Sequence, residues 1–339
     1  MSSARPGTTV RPERSAEGAT SKDERSGKLH VGISACLLGQ NVRYDGGHKQ
    51  DAFLTGALAE HVDFVPVCPE VELGLGTPRE AIRLVRDGGL VRLVGRSSGA
   101  DHTEAMARYA RRRVAALARL DLDGFVLKKD SPSCGMERVK VYGGPVAARD
   151  GRGAFAAVLL DALPLLPVEE EGRLNDVALR ENFVERLFAS RRLRGLFSGR
   201  WTAGHLVAFH AAEKLLVLAH EPAAYTKLGR LVAAVRRLPR EEVARRYAEL
   251  YMRALGKPAS RGRHANVLHH MAGYFKDRAT ADERRELADA IADYRRGLVP
   301  LLVPLTLVKH HVRRHRVAYL ASQRYLDPSP KELMLRNHP

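Results

Sequence analysis

The sequence predicts an α/β N-terminal domain with a largely parallel sheet, followed by an all-α C-terminal domain. Three observations carry this. Between residues 29 and 165, short apolar runs alternate with helical patterns. After the Pro- and acid-containing stretch 164–176, glycines thin out and a helical apolar period takes over. All three cysteines fall in the first part and ten of the fourteen histidines in the second. A length of 339 residues suits two domains of about 150 residues each.

Residues 1–28 are Ser, Gly, Thr, Arg and Glu with almost no large apolar side chain, and read as a disordered tail. Residues 29–35 read as a strand with Cys36 at its end, and 51–61 as a short helix. Residues 64–67 form a second strand, with Cys68 at its end. The runs 81–86 and 90–94 flank Asp87-Gly88-Gly89 and read as a β-hairpin. A helix over 103–117 and a strand over 124–127 follow, and Cys134 lies in the next loop, 131–135. The second domain, 166–339, shows helices over 183–196, 203–220, 223–238, 240–255, 263–276, 281–296 and 301–323. Gly256 and Pro258 close one of them, and Thr280 with Glu283 makes a capping box for another.

Composition excludes several classes. With 45% hydrophobic residues the chain can bury a core, so it is not wholly disordered. No run of about 18 apolar residues predicts a membrane span. The longest apolar stretch, 298–308, is broken by Pro300 and Pro304. Residues 1–28 lack the apolar segment of a signal peptide. Three cysteines form no disulfide framework, so a reducing, cytoplasmic setting is expected, with no obligate protein partner inferred. The net charge of +17 is uneven: 24 basic against 20 acidic residues up to position 166, and 32 against 19 beyond it. That split suggests a catalytic domain joined to an anion-binding one.

Each cysteine follows the end of a strand, where open α/β sheets bind ligands. The bland reading is three buried structural thiols. Zinc would need a fourth ligand such as His48 or Glu70, and no pair has Cys-x₂₋₄-Cys spacing. A disulfide with one free thiol is also open. A [4Fe–4S] cubane normally takes four thiolates; with three, one iron is left to bind a substrate atom as a Lewis acid. The residue count alone leaves these alternatives standing.

The motifs carry a family resemblance. Ser34-Ala-Cys-Leu-Leu-Gly39 precedes Val42-Arg-Tyr-Asp-Gly46; Cys68-Pro-Glu70 precedes Gly74 and Thr77-Pro-Arg79; Ser131-Pro-Ser-Cys-Gly135 closes the set. This order resembles the thiouracil desulfidase (TudS) family over about residues 29–165. The second half is similar to the YbgA-like domain through Gly204-His-Leu-Val-Ala-Phe-His210 with Lys214, Leu268-His-His-Met-Ala-Gly-Tyr-Phe275 and Pro300-Leu-Leu-Val-Pro-Leu305. The fusion resembles RudS-type desulfidases of tRNA thiouridine. The resemblance implies a [4Fe–4S] cluster on Cys36, Cys68 and Cys134, with Glu70 and Ser131 near the open iron. It implies conversion of 4-thiouridine in tRNA, or its 2-thio isomer, to uridine with release of sulfide. Sulfur bound to iron would make the C–S carbon electrophilic. Water would attack that carbon with Glu70 as proton carrier, without net electron transfer. The run after Cys-Pro-Glu departs from the family's usual Gly-Gly step and places a second acid at Glu72.

Other residues have two readings each. Ser133 and Ser131 contact substrate or shape the turn at Pro132. Arg79 grips a phosphate or caps a neighbouring loop. Tyr44 and Asp45 line the pocket or make the turn at Gly46-Gly47. Lys128, with Lys129, meets an anion or solvent.

Three basic groups are candidates for tRNA phosphates: Lys309, Arg313 and Arg316 on one helical face; Arg191, Arg192 and Arg194; and Arg261 with Arg263. Each charge run alternatively marks a solvated face. The adjacent pairs His269-His270 and His310-His311 lie badly for one helical metal site and read as surface or core histidines. The alternatives in function are a desulfidase of free thiouracil or thiouridine nucleotides, and a non-enzymatic nucleic-acid-binding protein with a structural metal.

Overall fold

The computed structural model describes residues 27–337. The tail expected over 1–28 therefore lies outside the described residues except for Gly27 and Lys28. The core of the first region is a four-stranded, wholly parallel sheet. Its strands are β1 (Leu29–Ser34), β2 (Val62–Val67), β5 (Gly124–Leu127) and β8 (Val168–Glu170), in the order β2-β1-β5-β8. All four residues of β5 and five of six in β1 are buried, as expected for a parallel sheet covered on both faces. Phe125 faces α3 (Thr103–Leu117) and α4 (Ala154–Ala162), while Val126, Val31 and Ile33 face α5 (Val177–Phe197). Each such side chain contributes about 1.5–3 kcal/mol by leaving water.

A second, mixed sheet flanks the first. The hairpin β3 (Ile82–Asp87)/β4 (Leu90–Gly95) forms where the sequence places it, and both turn glycines, 88 and 89, have positive φ. It continues into β6 (Val139–Tyr142) and β7 (Ala148–Gly151). Sequence reasoning missed β6, β7, β8 and α4. The strands are only three or four residues long and carry charge. In β8, two glutamates are buried within a stretch that reads as an acidic connection. Their oxygens are taken by Arg173 and by the Met136 N–H, so tertiary partners override the polar pattern. The sheet thus extends past Leu165, where the pattern places the change of class. The expected helix over 51–61 splits at Gly56 into α1 (Ala52–Thr55) and a 3₁₀ turn, Ala57–Glu60. Residues 69–72, Pro69–Glu72, add the one-turn helix α2.

The second region is helical. It consists of α6 (Ala203–His220), α7 (Pro222–Ala233), α8 (Arg240–Leu255), α9 (Arg261–Gly273), α10 (Ala281–Arg296), α11 (Leu302–Arg314) and the short α12 (Ala318–Ala321). The capping box of α10 forms as read from Thr280 and Glu283. The single helix expected over 301–323 is broken instead. Arg316 adopts φ 50°, and the Val317 N–H reaches the Val312 carbonyl, a Schellman ending built without glycine. α5 belongs to both regions: Leu187 packs on the sheet, while Asn182 donates to the Leu255 carbonyl of α8. No helix among the described residues is long and apolar enough to cross a membrane.

Candidate active site

Strand β1 lies between β2 and β5, so the chain leaves it in one direction and returns on its other side. That makes the carboxyl end of β1 the topological switch point, where a crevice opens. Cys36 sits in the 3₁₀ turn directly after β1, Cys68 directly after β2, and Cys134 in the loop after β5. All three thiols are free and line one cavity of about 340 Å³. Glu70, Arg79, Tyr44, Lys128 and Ser131 line it too. Burial pushes all three thiols up, Cys36 to about 11 against the opposing charge of Lys128.

The Cys134 loop is held by the start of α4. The Ala154 N–H bonds to the Pro132 carbonyl, and those of Phe155 and Ala156 bond to the Ser133 carbonyl. These would otherwise be orphan donors of the first helical turn. The approach is so close that a Cβ at Gly153 would sit 2.5 Å from the Ser133 carbonyl. Ser131 Oγ accepts from the N–H groups of Ser133 and Cys134, at 3.2 and 3.1 Å. Its hydroxyl therefore also builds the turn that aims Cys134.

Glu70 is the best-positioned carboxylate. Its Oε1 accepts from Ser133 Oγ at 2.9 Å, and its Oε2 accepts from Arg79 Nη2 at 2.6 Å and Nε at 3.0 Å. Arg79 spends its remaining reach on the carbonyls of Val42 and Gly76. With its donors so committed, Arg79 positions Glu70 rather than gripping a phosphate. The second acid, Glu72, points elsewhere. It accepts from the Cys68 N–H and from the Tyr109 hydroxyl and pairs with Arg113. Lys128 is ion-paired with Glu171 at the cavity wall. Tyr44 is exposed at the rim beneath the Arg43 guanidinium. Asp45 accepts from the Gly47 N–H and pairs with Arg43, which makes the turn and keeps its carboxyl below the ordinary range. It does not line the cavity.

The basic groups are not brought together as one face. Arg194 and Arg191 reach the buried Asp123 of the first region, at 2.6 and 3.6 Å. The partly buried Arg192 pairs with the buried Glu213, at 2.6 Å. A buried carboxylate needs a paired cation, and these arginines supply it. Arg263 donates to the His220 carbonyl, and Arg261 stacks over Tyr294. Lys309 pairs with Asp327. Arg313 and Arg316 are exposed, but Arg316 lies past the end of α11 and does not share its face.

Fold and site define an α/β protein with three free thiols at the carboxyl edge of a parallel sheet, joined to a basic helical bundle. Residues 31–171 match the 2-thiouracil desulfurase family, and residues 214–330 match the family described as a protein of unknown function, DUF1722. The uncharacterized protein YbgA of Escherichia coli (strain K12) is 37% identical over 45% of this chain and 90% of its own length. The uncharacterized protein YbbK of Bacillus subtilis (strain 168) is 32% identical over 43% of this chain and 97% of its own. A solved structure of a [4Fe–4S]-dependent thiouracil desulfidase, TudS, is 34% identical, with a TM-score of 0.36 over 45% of this chain and 97% of that one. The chain belongs to the 2-thiouracil desulfurase family, with a YbgA-like helical region joined to it.

Proposed function

We propose that this protein is an iron–sulfur-dependent desulfidase that hydrolyses the C=S group of a thionucleoside, with 4-thiouridine in tRNA as its target. The observation that carries this is the meeting of Cys36, Cys68, Cys134 and Glu70 in one cavity. Three soft donors without a fourth cysteine fit a [4Fe–4S] cluster that keeps one iron free of protein ligands. When bound, the cluster supplies a Lewis-acidic iron for the thiocarbonyl sulfur. Glu70 takes a proton from the water that attacks the C–S carbon and returns it to the departing sulfide, so C=S and H₂O become C=O and H₂S. Arg79 balances the charge of Glu70 and holds Oε2, and Ser133 fixes Oε1. The carboxylate keeps lone pairs for the water. Tyr44 at the rim offers a stacking face for the base.

Free thiouracil or a thiouridine nucleotide is the second reading. It is favoured by the commitment of Arg191, Arg192 and Arg194 to protein carboxylates. Anaerobically reconstituted protein incubated with thiolated tRNA, thiouridine monophosphate and thiouracil separates the two. Loss of 4-thiouridine from tRNA by nucleoside mass spectrometry, with stoichiometric sulfide, is the expected result. Turnover of the small substrates alone transfers the assignment to the second reading, and turnover of none removes the desulfidase.

A further inference from the structure

Far from the thiol cavity, Glu283, His311 and His315 converge where α10 begins and α11 ends. One ligand-type atom from each lies within 4.8 Å of the other two. His311 and His315 are four residues apart, so their rings leave the same side of the α11 terminus. The rings are stacked, with centroids 5.7 Å apart and planes at 13°. Glu283 arrives from the first turn of α10, and its carboxylate is already oriented. Oε2 accepts from the Thr280 N–H at 2.8 Å, and Oε1 pairs with Arg314 Nε at 3.0 Å.

The imidazoles, by contrast, are left wanting. His311 is 2% exposed, yet its Nδ1 has no hydrogen-bond partner among the described residues. The same holds for Nε2 of His315, which lies 3.9 Å from Glu283 Oε2, too far for a hydrogen bond. Phe275 packs against both rings, and an adjoining cavity of about 250 Å³ is bordered by Phe275, Leu287, Glu283 and His311. Buried polar nitrogens are nearly always satisfied, and an exception calls for an ion or a water.

We propose that Glu283, His311 and His315 form a site for a divalent metal of the zinc class that ties the start of α10 to the end of α11. Two imidazoles and one carboxylate are a mixed nitrogen–oxygen set. Zinc and its neighbours in the transition series accept it, whereas magnesium and calcium favour oxygen alone. Three protein ligands leave a coordination position open. Thr280 and Arg314 then act as the outer partners that orient the carboxylate, whose oxygens keep further lone pairs.

The test is titration of the full-length protein with Co²⁺ and Zn²⁺, beside His311→Gln, His315→Gln and Glu283→Gln. Cobalt on nitrogen and oxygen gives visible d–d bands without the sulfur-to-metal charge transfer that cobalt in the cysteine cavity would give. The expected result is one such Co²⁺ per chain, weakened more than about tenfold by each substitution. The rise in melting temperature caused by Zn²⁺ should be smaller for His315→Gln than for the parent protein. His315 is only partly buried, so that variant decides the matter if His311→Gln fails to fold. Cobalt bound solely with thiolate bands, or nitrogen–oxygen binding that survives His315→Gln, overturns the site.

Discussion

The two regions treat buried ionisable groups in opposite ways. In the helical region, the His311–His315 pair apart, they meet one another. Arg192 meets Glu213, which also accepts from the Tyr251 hydroxyl at 2.9 Å. Glu185 meets both His220, at 2.5 Å, and Arg336, at 3.0 Å. In the α/β region the buried Cys36 and Cys134 and the partly buried Glu70 border a cavity. Chemistry is therefore read from buried groups that face unfilled space. Buried groups that complete each other away from any cavity are architecture, however strongly charged.

The largest effect that bears on this contrast is loss of a thiol. Cys36→Ala, Cys68→Ala and Cys134→Ala should each abolish iron retention and turnover while leaving the helical region folded, as read by iron content and circular dichroism. A variant retaining full iron and full turnover would remove its cysteine from the ligand set.

Glu70→Gln should keep iron at the parental level and lose about 10²–10⁴-fold in turnover. Arg79→Met should lower turnover less, because it only releases Glu70 from its orientation. Parental turnover in Glu70→Gln would move the proton-carrying role to another group.

On the other side of the contrast, Arg192→Ala leaves Glu213 buried without its cation. It should destabilise the protein by about 3–5 kcal/mol in denaturant titrations, with partial recovery on adding Glu213→Gln. A neutral result would place Arg192 among the solvated charges after all.

Exposed and sunken arginines should separate in binding. Arg313→Glu should weaken tRNA binding and flatten its salt dependence, because fewer counterions are released. Arg194→Glu should instead lower stability through Asp123. Salt-series binding curves and melts of both variants check this, and equal salt slopes for Arg313→Glu and the parent would exclude Arg313 from the tRNA contact.

The smallest effect is a pH dependence. Burial holds His210 down at about 4, with Lys214 adding to the shift, and its Nδ1 lies 3.1 Å from the Tyr247 hydroxyl. The unfolded chain takes up this proton first, near the ordinary imidazole value of about 6.5. The stability His210 contributes is therefore full above that value and is lost as pH falls toward about 4. The melting temperature of His210→Gln should fall less between pH 7 and pH 5 than the parent's. An identical fall would show that His210 titrates normally.

Much of this contrast is legible in the residues. Cys36, Cys68 and Cys134 can be placed at strand ends because apolar runs of parallel strands stop abruptly at polar, Gly- and Ser-rich loops. Glu70 is legible through its place beside Cys68. The role of Arg79 is not, since nothing in Thr77-Pro-Arg79 says which carboxylate its guanidinium meets. The charge run 191–194 looks solvated in sequence, yet its cations answer Asp123 and Glu213, 71 and 21 residues away. His311 and His315 are separated by one helical turn and could have been paired by spacing. Glu283 comes from another helix, so no local spacing joins it to them.

By itself, the sequence determined the succession of an α/β region and a helical one. It also determined most strand and helix cores and the three cysteine loops, because apolar periodicity and turn chemistry act over a few residues. Only the tertiary structure decided which charges are sunk in pairs, that β8 carries its glutamates inside the sheet, and that α11 stops at Arg314. Those outcomes depend on partners brought from far along the chain, and the cost of burying an unpaired charge is settled where the partners meet.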